Sequence, residues 1–340
     1  MWALREKSRS LARHQHARTK TGLLRIDRLL CLIGSLATSH LAAGEITIEK
    51  SAEGATVKVD GQLFTKYHIR SGNKPILWPL IGPTGKPMTR AYPMAAGPSE
   101  QKDHPHHRSL WFTHGDVDGL SFWHERQGSP TVKHKRFIKI QGDTIVTEND
   151  WLDPQGKRHL QDRRALRFEA GKDHRSIDFT ITLTAVDQPV HLGDTKEGSF
   201  GLRVAGTMKV DAQLGGQIVN SEGHRDKQAW GKPAAWVDYH GPVDGQRVGI
   251  AIFNHPRSFR FPTYWHVRTY GLFAANPFGQ RDFTAGKKQG DYHLPRGESV
   301  TLHYRVWLHR GDHQEGQVAR AFASYARSQP PSAGTSPAGR

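Results

Sequence analysis

Four stretches of this chain alternate apolar and polar residues with period two, and that pattern constrains the fold more than any other feature. They are Ile46–Ile48, Thr56–Val59, Ile177–Leu183 and Val300–Trp307. Successive side chains on a strand point to opposite faces, so such runs predict strands with one face in a core. Turn words separate them: Asp60-Gly61, Asn73-Lys74-Pro75, Gly82-Pro83-Thr84-Gly85, Asp153-Pro154-Gln155-Gly156, Gly215-Gly216 and Asp244-Gly245. The 35 glycines and 19 prolines fit that punctuation. Helical spacing is convincing only near Gln317–Arg327. Strand after strand without intervening helices predicts an all-β, mainly antiparallel sandwich with few short helices. No composition break divides residues 45–327, which are read as one domain, and no Gly-rich phosphate loop or internal repeat occurs in them.

The two ends read differently. Residues 1–44 run from a basic segment through the apolar Leu29–Gly44 to small residues, the order of an export signal. Cys31, the one cysteine, lies inside that segment, so the remainder has no disulfide or thiol chemistry. Residues 328–340 have the composition of a disordered tail. The formal charge is +16, and without residues 1–44 there remain 40 bases and 30 acids. That charge is dispersed, with no block of like sign, and gives no nucleic-acid footprint. No run of 18 apolar residues follows the signal, so no stable membrane span is expected after its removal. An exported, periplasmic or extracellular protein is the expectation.

Chemistry concentrates between Asp103 and Glu125, where five side chains are histidine. Histidine titrates near neutrality and is the commonest metal ligand. Read as an extended segment, His104, His106 and Arg108 share one face, and Asp103, His107 and Ser109 the other. Pro105 biases His104 toward extended geometry and places the run at a strand edge. The candidates for catalysis here are His104, His106 and His107, with Asp103, Arg108, Trp111, His114 and Asp116 as binding groups. His104 and His106 at i, i+2, with the His114-Gly115-Asp116 triplet, are the alternative metal set. His124-Glu125 reads as a loop pair, open to a ligand or base role.

A third group sets Asn254 and His255 beside Trp265, His266, Arg268 and Asn276. His266 is a catalytic candidate, and Asn254, His255, Arg268 and Asn276 are substrate-binding ones, because aromatics next to directional polar groups suit sugar rings. Glu222, in the loop Asn220-Ser221-Glu222-Gly223, is a candidate base. Nucleophilic catalysis lacks a Gly-x-Ser-x-Gly elbow.

Several rare words occur in one order: Pro79-Leu80-Ile81-Gly82-Pro83, Thr89-Arg90-Ala91-Tyr92-Pro93-Met94, the run from Asp103, Lys196-Glu197-Gly198, Trp230-Gly231-Lys232, and Gly271 through Phe278. On these words the chain resembles the PmoA-like family of exported bacterial proteins, which carries the label methane oxygenase and otherwise counts as a domain of unknown function. The resemblance implies a large galactose-mutarotase-like β-sandwich, whose relatives are mostly carbohydrate-active. It also strengthens Glu197 as a candidate base, with Lys196 and Arg203 as binding partners. The first reading is acid/base chemistry of the epimerase, lyase or hydrolase type on a carbohydrate or acidic sugar derivative. In it a histidine is the acid, Glu197 or Glu222 the base, and Arg108, Arg203 or Arg268 the charge-stabilising donor. No cofactor is required, though a divalent metal is possible. The alternatives are a sugar-binding protein without catalysis and a metal-dependent oxygenase.

Overall fold

A computed structural model describes residues 44–97 and 100–334. The expected export signal, apart from Gly44, and residues 335–340 lie outside the described residues. Strands are numbered in chain order. One eight-stranded antiparallel sheet runs, in spatial order, β1 (Ile46–Ser51), β2 (Gly54–Val59), β3 (Gln62–Ser71), β4 (Lys74–Leu77), β5 (Leu110–His114), β11 (Gly198–Arg203), β16 (Leu272–Asn276) and β15 (Tyr264–Val267). The second runs β12 (Gln217–Asn220), β13 (Trp236–Val243), β14 (Gln246–Asn254), β18 (Ser299–Arg310), β9 (His174–Thr184), β8 (Arg158–Ala170), β7 (Thr144–Leu152) and β6 (Thr131–Gln141). A short ribbon pairs β10 (Val190–Leu192) with β17 (Tyr292–Leu294). The all-β, antiparallel expectation holds. Among the described residues no helix is long and apolar enough to cross a membrane.

All four alternating segments are strands, within β1, β2, β9 and β18. Inward residues of the two sheets meet in one continuous core: Phe112, Phe200 and Phe273 from the first sheet, Phe179, Ile250 and Tyr304 from the second. Phe200 stacks on Tyr304 with centroids 4.6 Å apart. Two turn words do what their residues favour. Asp60 and Gly61 take φ of 49° and 74°, and Asp244 and Gly245 take 50° and 75°, the pair of positive angles that a two-residue hairpin turn needs. The word Asn73-Lys74-Pro75 behaves differently, because the turn falls at Gly72 and Lys74–Leu77 is a strand.

The outer faces of the sheets differ. On the second sheet, the helix Val318–Arg327 lays Val318, Phe322 and Tyr325 over Trp236, Ala251 and Phe253. Beyond it, Ala333 is buried against Val146 and Ala165, so residues 328–334, expected as tail, lie along the sheet. On the first sheet, among the described residues, only the one-turn helix Gln280–Phe283 reaches the outward side, where Phe283 packs on Tyr264 and His266 of β15. The loops carrying His104, His106, His107 and Glu197 border that face, and His266 of β15 lies on it.

Candidate functional site

The floor of this face is a row across four strands. Trp111 of β5 pairs with Gly201 of β11, Gly201 with Ala274 of β16, and Ala274 with His266 of β15. At about 4.8 Å per strand the row spans roughly 14 Å between the Cα atoms of Trp111 and His266. The two middle positions are small. A Cβ at Gly201 would stand 2.5 Å from Trp111 Cζ2, so the missing side chain is the room in which the indole lies.

The histidine loop closes one side of the floor. It is not extended: His104 sits at φ 44°, and His107 N–H donates to His104 O at 3.0 Å. The bias from Pro105 loses to specific bonds. Arg90 donates to the carbonyls of Gln101, Asp103, His104 and His107 and to the Asp103 carboxylate, pinning the loop from beneath. The two-face reading of residues 103–109 is therefore wrong, and all three histidines meet. The rings of Tyr270, His104, His107 and Trp111 form a column, with successive centroids 5.4, 4.8 and 5.5 Å apart and planes within 17° of parallel. His106 sets its ring edge-on against His104 and His107, and its nitrogens have no hydrogen-bond partner among the described residues. Burial pushes the His106 imidazole down to about 3, assisted by the charges of His124 and Lys74.

Arg203 fixes the chemistry of His107. Its Nη1 donates to His107 Nδ1 at 3.1 Å and its Nη2 to both Asp103 oxygens at 3.0 Å. A guanidinium only donates, so Nδ1 carries the lone pair and the ring proton is on Nε2. Burial, then the charges of His106 and Arg203, hold His107 far below its ordinary value, hence neutral. Asp103 stays ionised. Burial opposes this, but the bonds from His104 and Arg203 and the charges of Arg203 and Arg90 bring it down to about 2. His107 is thus a fixed neutral N–H donor through Nε2, which has no hydrogen-bond partner among the described residues.

His266 is set the opposite way. Its Nδ1 lies 2.8 Å from the Lys196 carbonyl. A carbonyl only accepts, so Nδ1 bears the proton and Nε2 presents a lone pair that has no partner among the described residues. Burial brings His266 down to about 4 against the opposing pull of Glu197. Glu197 pairs with Lys196 at 2.9 Å, which requires the segment to turn, since strand neighbours would point apart. The charges of Glu197, Arg203, Arg268 and Asp103 all bear on the Tyr270 hydroxyl, and those of Glu197, Lys196 and His104 on His124. The register that puts Trp111 and His266 in one cross-strand row sets the loop histidines, stacked on Trp111, and the His266 group on the same face of the sheet. Arg268 is exposed, lies 5.7 Å from the Tyr270 ring and has no acidic partner among the described residues.

Other candidates belong elsewhere. Arg108 is no free binding group: its Nε and Nη2 grip Glu125 at 2.7–2.9 Å, and Nη1 reaches Ser71. His124-Glu125 is accordingly half structural. His114 points into the sandwich, bonding Gly193 O at 2.8 Å and Ser199 Oγ at 3.2 Å, and Asp116 caps a turn at Gly119 N. His104, His106, His114 and Asp116 do not converge. Among the described residues, the sets of three donors close enough for one ion are His191–Asp291–His293 and Asp238–His240–His313. Glu222 is exposed beside the second sheet's edge strand, and its side chain meets only Ser221. Asn254 Oδ1 accepts from Thr263 N at 3.1 Å, and His255 ties Arg257 N and Ser328 O, so both hold loops. Asn276 uses its amide and carbonyl on Thr195, Lys196, Phe278 and Gly279, and so positions the Glu197 loop without facing a ligand. Unforeseen members are Arg90, Tyr270 and Trp123, which backs the column at 5.7 Å from His107.

His114 makes acid stability testable. Burial holds it at about 4 against an ordinary 6.5. As pH falls through 6.5 the unfolded chain takes up this proton first, so stability is full above about 6.5 and declines down to about 4. The effect is on the order of 3 kcal/mol. Urea unfolding at several pH values should show this slope, and His114→Gln, which keeps a donor for Gly193 O, should flatten it. An unchanged slope would assign the acid sensitivity to other groups.

A model of a family described as of unknown function, DUF6807, matches residues 54–323. The chain belongs to that family. No curated protein matches the sequence. Among solved structures, it is similar to a galactose mutarotase-like protein from Lactobacillus casei ATCC 334 (11% identity, 78% of this chain and 100% of that one, TM-score 0.39). It is also similar to one from Clostridium acetobutylicum (9%, 79% and 99%, 0.37). A heparan sulfate lyase HepC mutant from Pedobacter heparinus is a further such structure (8%, 81% and 36%, 0.33). At this identity and TM-score the chemistry of the DUF6807 chain has to be argued from its own residues.

Proposed function

We propose that the outer face of the first sheet binds an acidic sugar derivative and moves a proton on it. One observation carries the reading: two buried, neutral imidazoles with opposite fixed tautomers border one small-residue floor. The lone pair of His266 accepts a proton, with Glu197 beside it. The N–H of His107, backed by Arg203, stabilises the oxygen on which negative charge develops, as a neutral imidazole donor can. The column from Tyr270 to Trp111 supplies apolar ring surface, and Arg268 supplies a cation with no acidic partner among the described residues, suited to a carboxylate. This reading moves the acceptor from Glu222 to His266 and Glu197. An oxygenase of the kind the PmoA-like label names would need three convergent ligands at this face, and His104, His106, His114 and Asp116 do not supply them. We further propose that the protein works after export.

The test is proton NMR in D2O with neutral hexoses and uronic acids. It reads anomeric exchange, deuterium uptake at carbon and loss of ring protons on elimination in one experiment. Acidic sugars should be bound and turned over. Arg268→Ala should weaken binding of the acidic series by about tenfold or more, corresponding to a lost charge-assisted pair, and leave neutral sugars unaffected. Binding without any exchange would make this a sugar-binding module; no binding by either series would end the carbohydrate reading.

A further inference from the structure

Two groups of imidazole and carboxylate donors stand away from this face, and their spacings separate them. In one, Asp238 Oδ1 is 2.6 Å from His240 Nδ1 and Oδ2 is 2.8 Å from His309 Nε2. These are hydrogen-bond distances, and both carboxylate oxygens are committed. In the other, His191 and His293 face each other across the β10–β17 ribbon, and Asp291 precedes His293 by two residues. The Nε2 atoms of His191 and His293 lie 3.3 and 3.9 Å from the same Asp291 oxygen, with the rings stacked at 4.3 Å. Two ligands on a tetrahedral ion with bonds of about 2.0–2.1 Å stand about 3.4 Å apart. The second group therefore has the separations of a coordination shell.

Its donors are well anchored, and what side-chain bonding they have lies within the set, His191 Nε2 meeting Asp291 Oδ2 at 3.3 Å. Among the described residues, the Asp291 carboxylate contacts only these two histidines, and His293 has no hydrogen-bond partner. The backbone on either side is fixed. His191 N–H donates to Asp118 Oδ1 at 2.8 Å, while Asp118 Oδ2 takes His159 Nδ1 at 2.8 Å. Arg260 donates to the carbonyls of Gly290 and, at 2.9 Å, Asp291. Its guanidinium is thereby turned onto carbonyl oxygens, with Asp291 and then Asp194 as its counter-charges.

We propose that His191, Asp291 and His293 bind a borderline divalent cation, with zinc the best fit, leaving one position for water. Two imidazoles and one carboxylate are an N/O set of that class. The ion would clip a three-residue, two-stranded ribbon that is marginal by itself. β10 leads through Gly193 and Asp194 to Lys196 and Glu197, so the clip also steadies the chain entering the sugar face. The metal assignment does not depend on the sugar reading.

The test is titration of the tag-free full chain with zinc, followed by a chelating indicator, and with cobalt(II), followed by its visible bands. One equivalent should bind per chain, with cobalt bands of a low-coordinate N/O site. His293→Ala, at a residue whose side chain is 78% exposed and carries no core packing, should lower affinity about tenfold or more, at least as much as losing an outer-shell partner does. His240→Ala should leave that equivalent in place. The proposal fails if His293→Ala binds like the parent, if the equivalent disappears with His240→Ala, or if only weak, non-saturating uptake is seen.

Discussion

His266→Asn should remove turnover of the sugar substrate by 10²- to 10⁴-fold, roughly the contribution of one positioned general base, while binding changes little. The substitution is chosen for its geometry. An asparagine amide nitrogen can take the place of Nδ1 and keep the bond to the Lys196 carbonyl, now 2.8 Å long, but nothing replaces the Nε2 lone pair. His266→Gln should be the mirror case, placing an amide at the Nε2 position and losing the bond to the Lys196 carbonyl. The pH dependence gives a second readout. Because burial holds His266 at about 4, its lone pair is available at all higher pH, and it is lost only on protonation below that value. The acid limb of the rate profile should therefore fall near pH 4, well below the ordinary imidazole value. An Asn variant within about threefold of the parent would transfer the base role to Glu197, and Glu197→Gln made in parallel would then carry the loss.

Strand pattern and turn chemistry made the architecture legible, because period-two alternation is a local signal and the core is built from the faces it marks. The site was legible only as a vocabulary. His104, His106, His107, Arg203, His266 and Arg268 all border one face, but their roles follow from partners far away in the chain. Arg203 sets the His107 tautomer across 96 residues, and the Lys196 carbonyl sets that of His266 across 70. No spacing rule reaches that far. Arg90 was hidden for the same reason, since its function is to hold the carbonyls of a loop with no periodicity of its own. Arg108, His114 and Asp116 show the converse. They sit in the densest stretch of functional residue types, yet local structure uses them: an ion pair with Glu125, a bond to Gly193 O and a turn cap.

Arg164→Met should cost about 3–5 kcal/mol of folding stability, the range for removing one partner of a buried ion pair. Arg164 and Asp162 both point from β8 into the space between the sheets, and both are essentially inaccessible to solvent. Asp162 accepts four bonds there: Asn149 Nδ2 at 2.6 Å, Trp151 Nε1 at 2.7 Å, and Arg164 Nε and Nη2 at 2.9 and 2.8 Å. Without the guanidinium, Asp162 keeps two neutral donors but no counter-charge, in surroundings where an unpaired carboxylate is strongly disfavoured. The comparison is Arg158→Met on the same strand. Arg158 binds Asp187 just as closely, at 2.8 and 2.9 Å, but Asp187 is half exposed, and such pairs contribute about 0–1 kcal/mol. Denaturant midpoints of the two variants, taken side by side, separate burial from bond length as the source of the effect. Equal losses in the two variants would mean that the interior pair is hydrated or relaxes readily, and that burial of Asp162 does not set its cost.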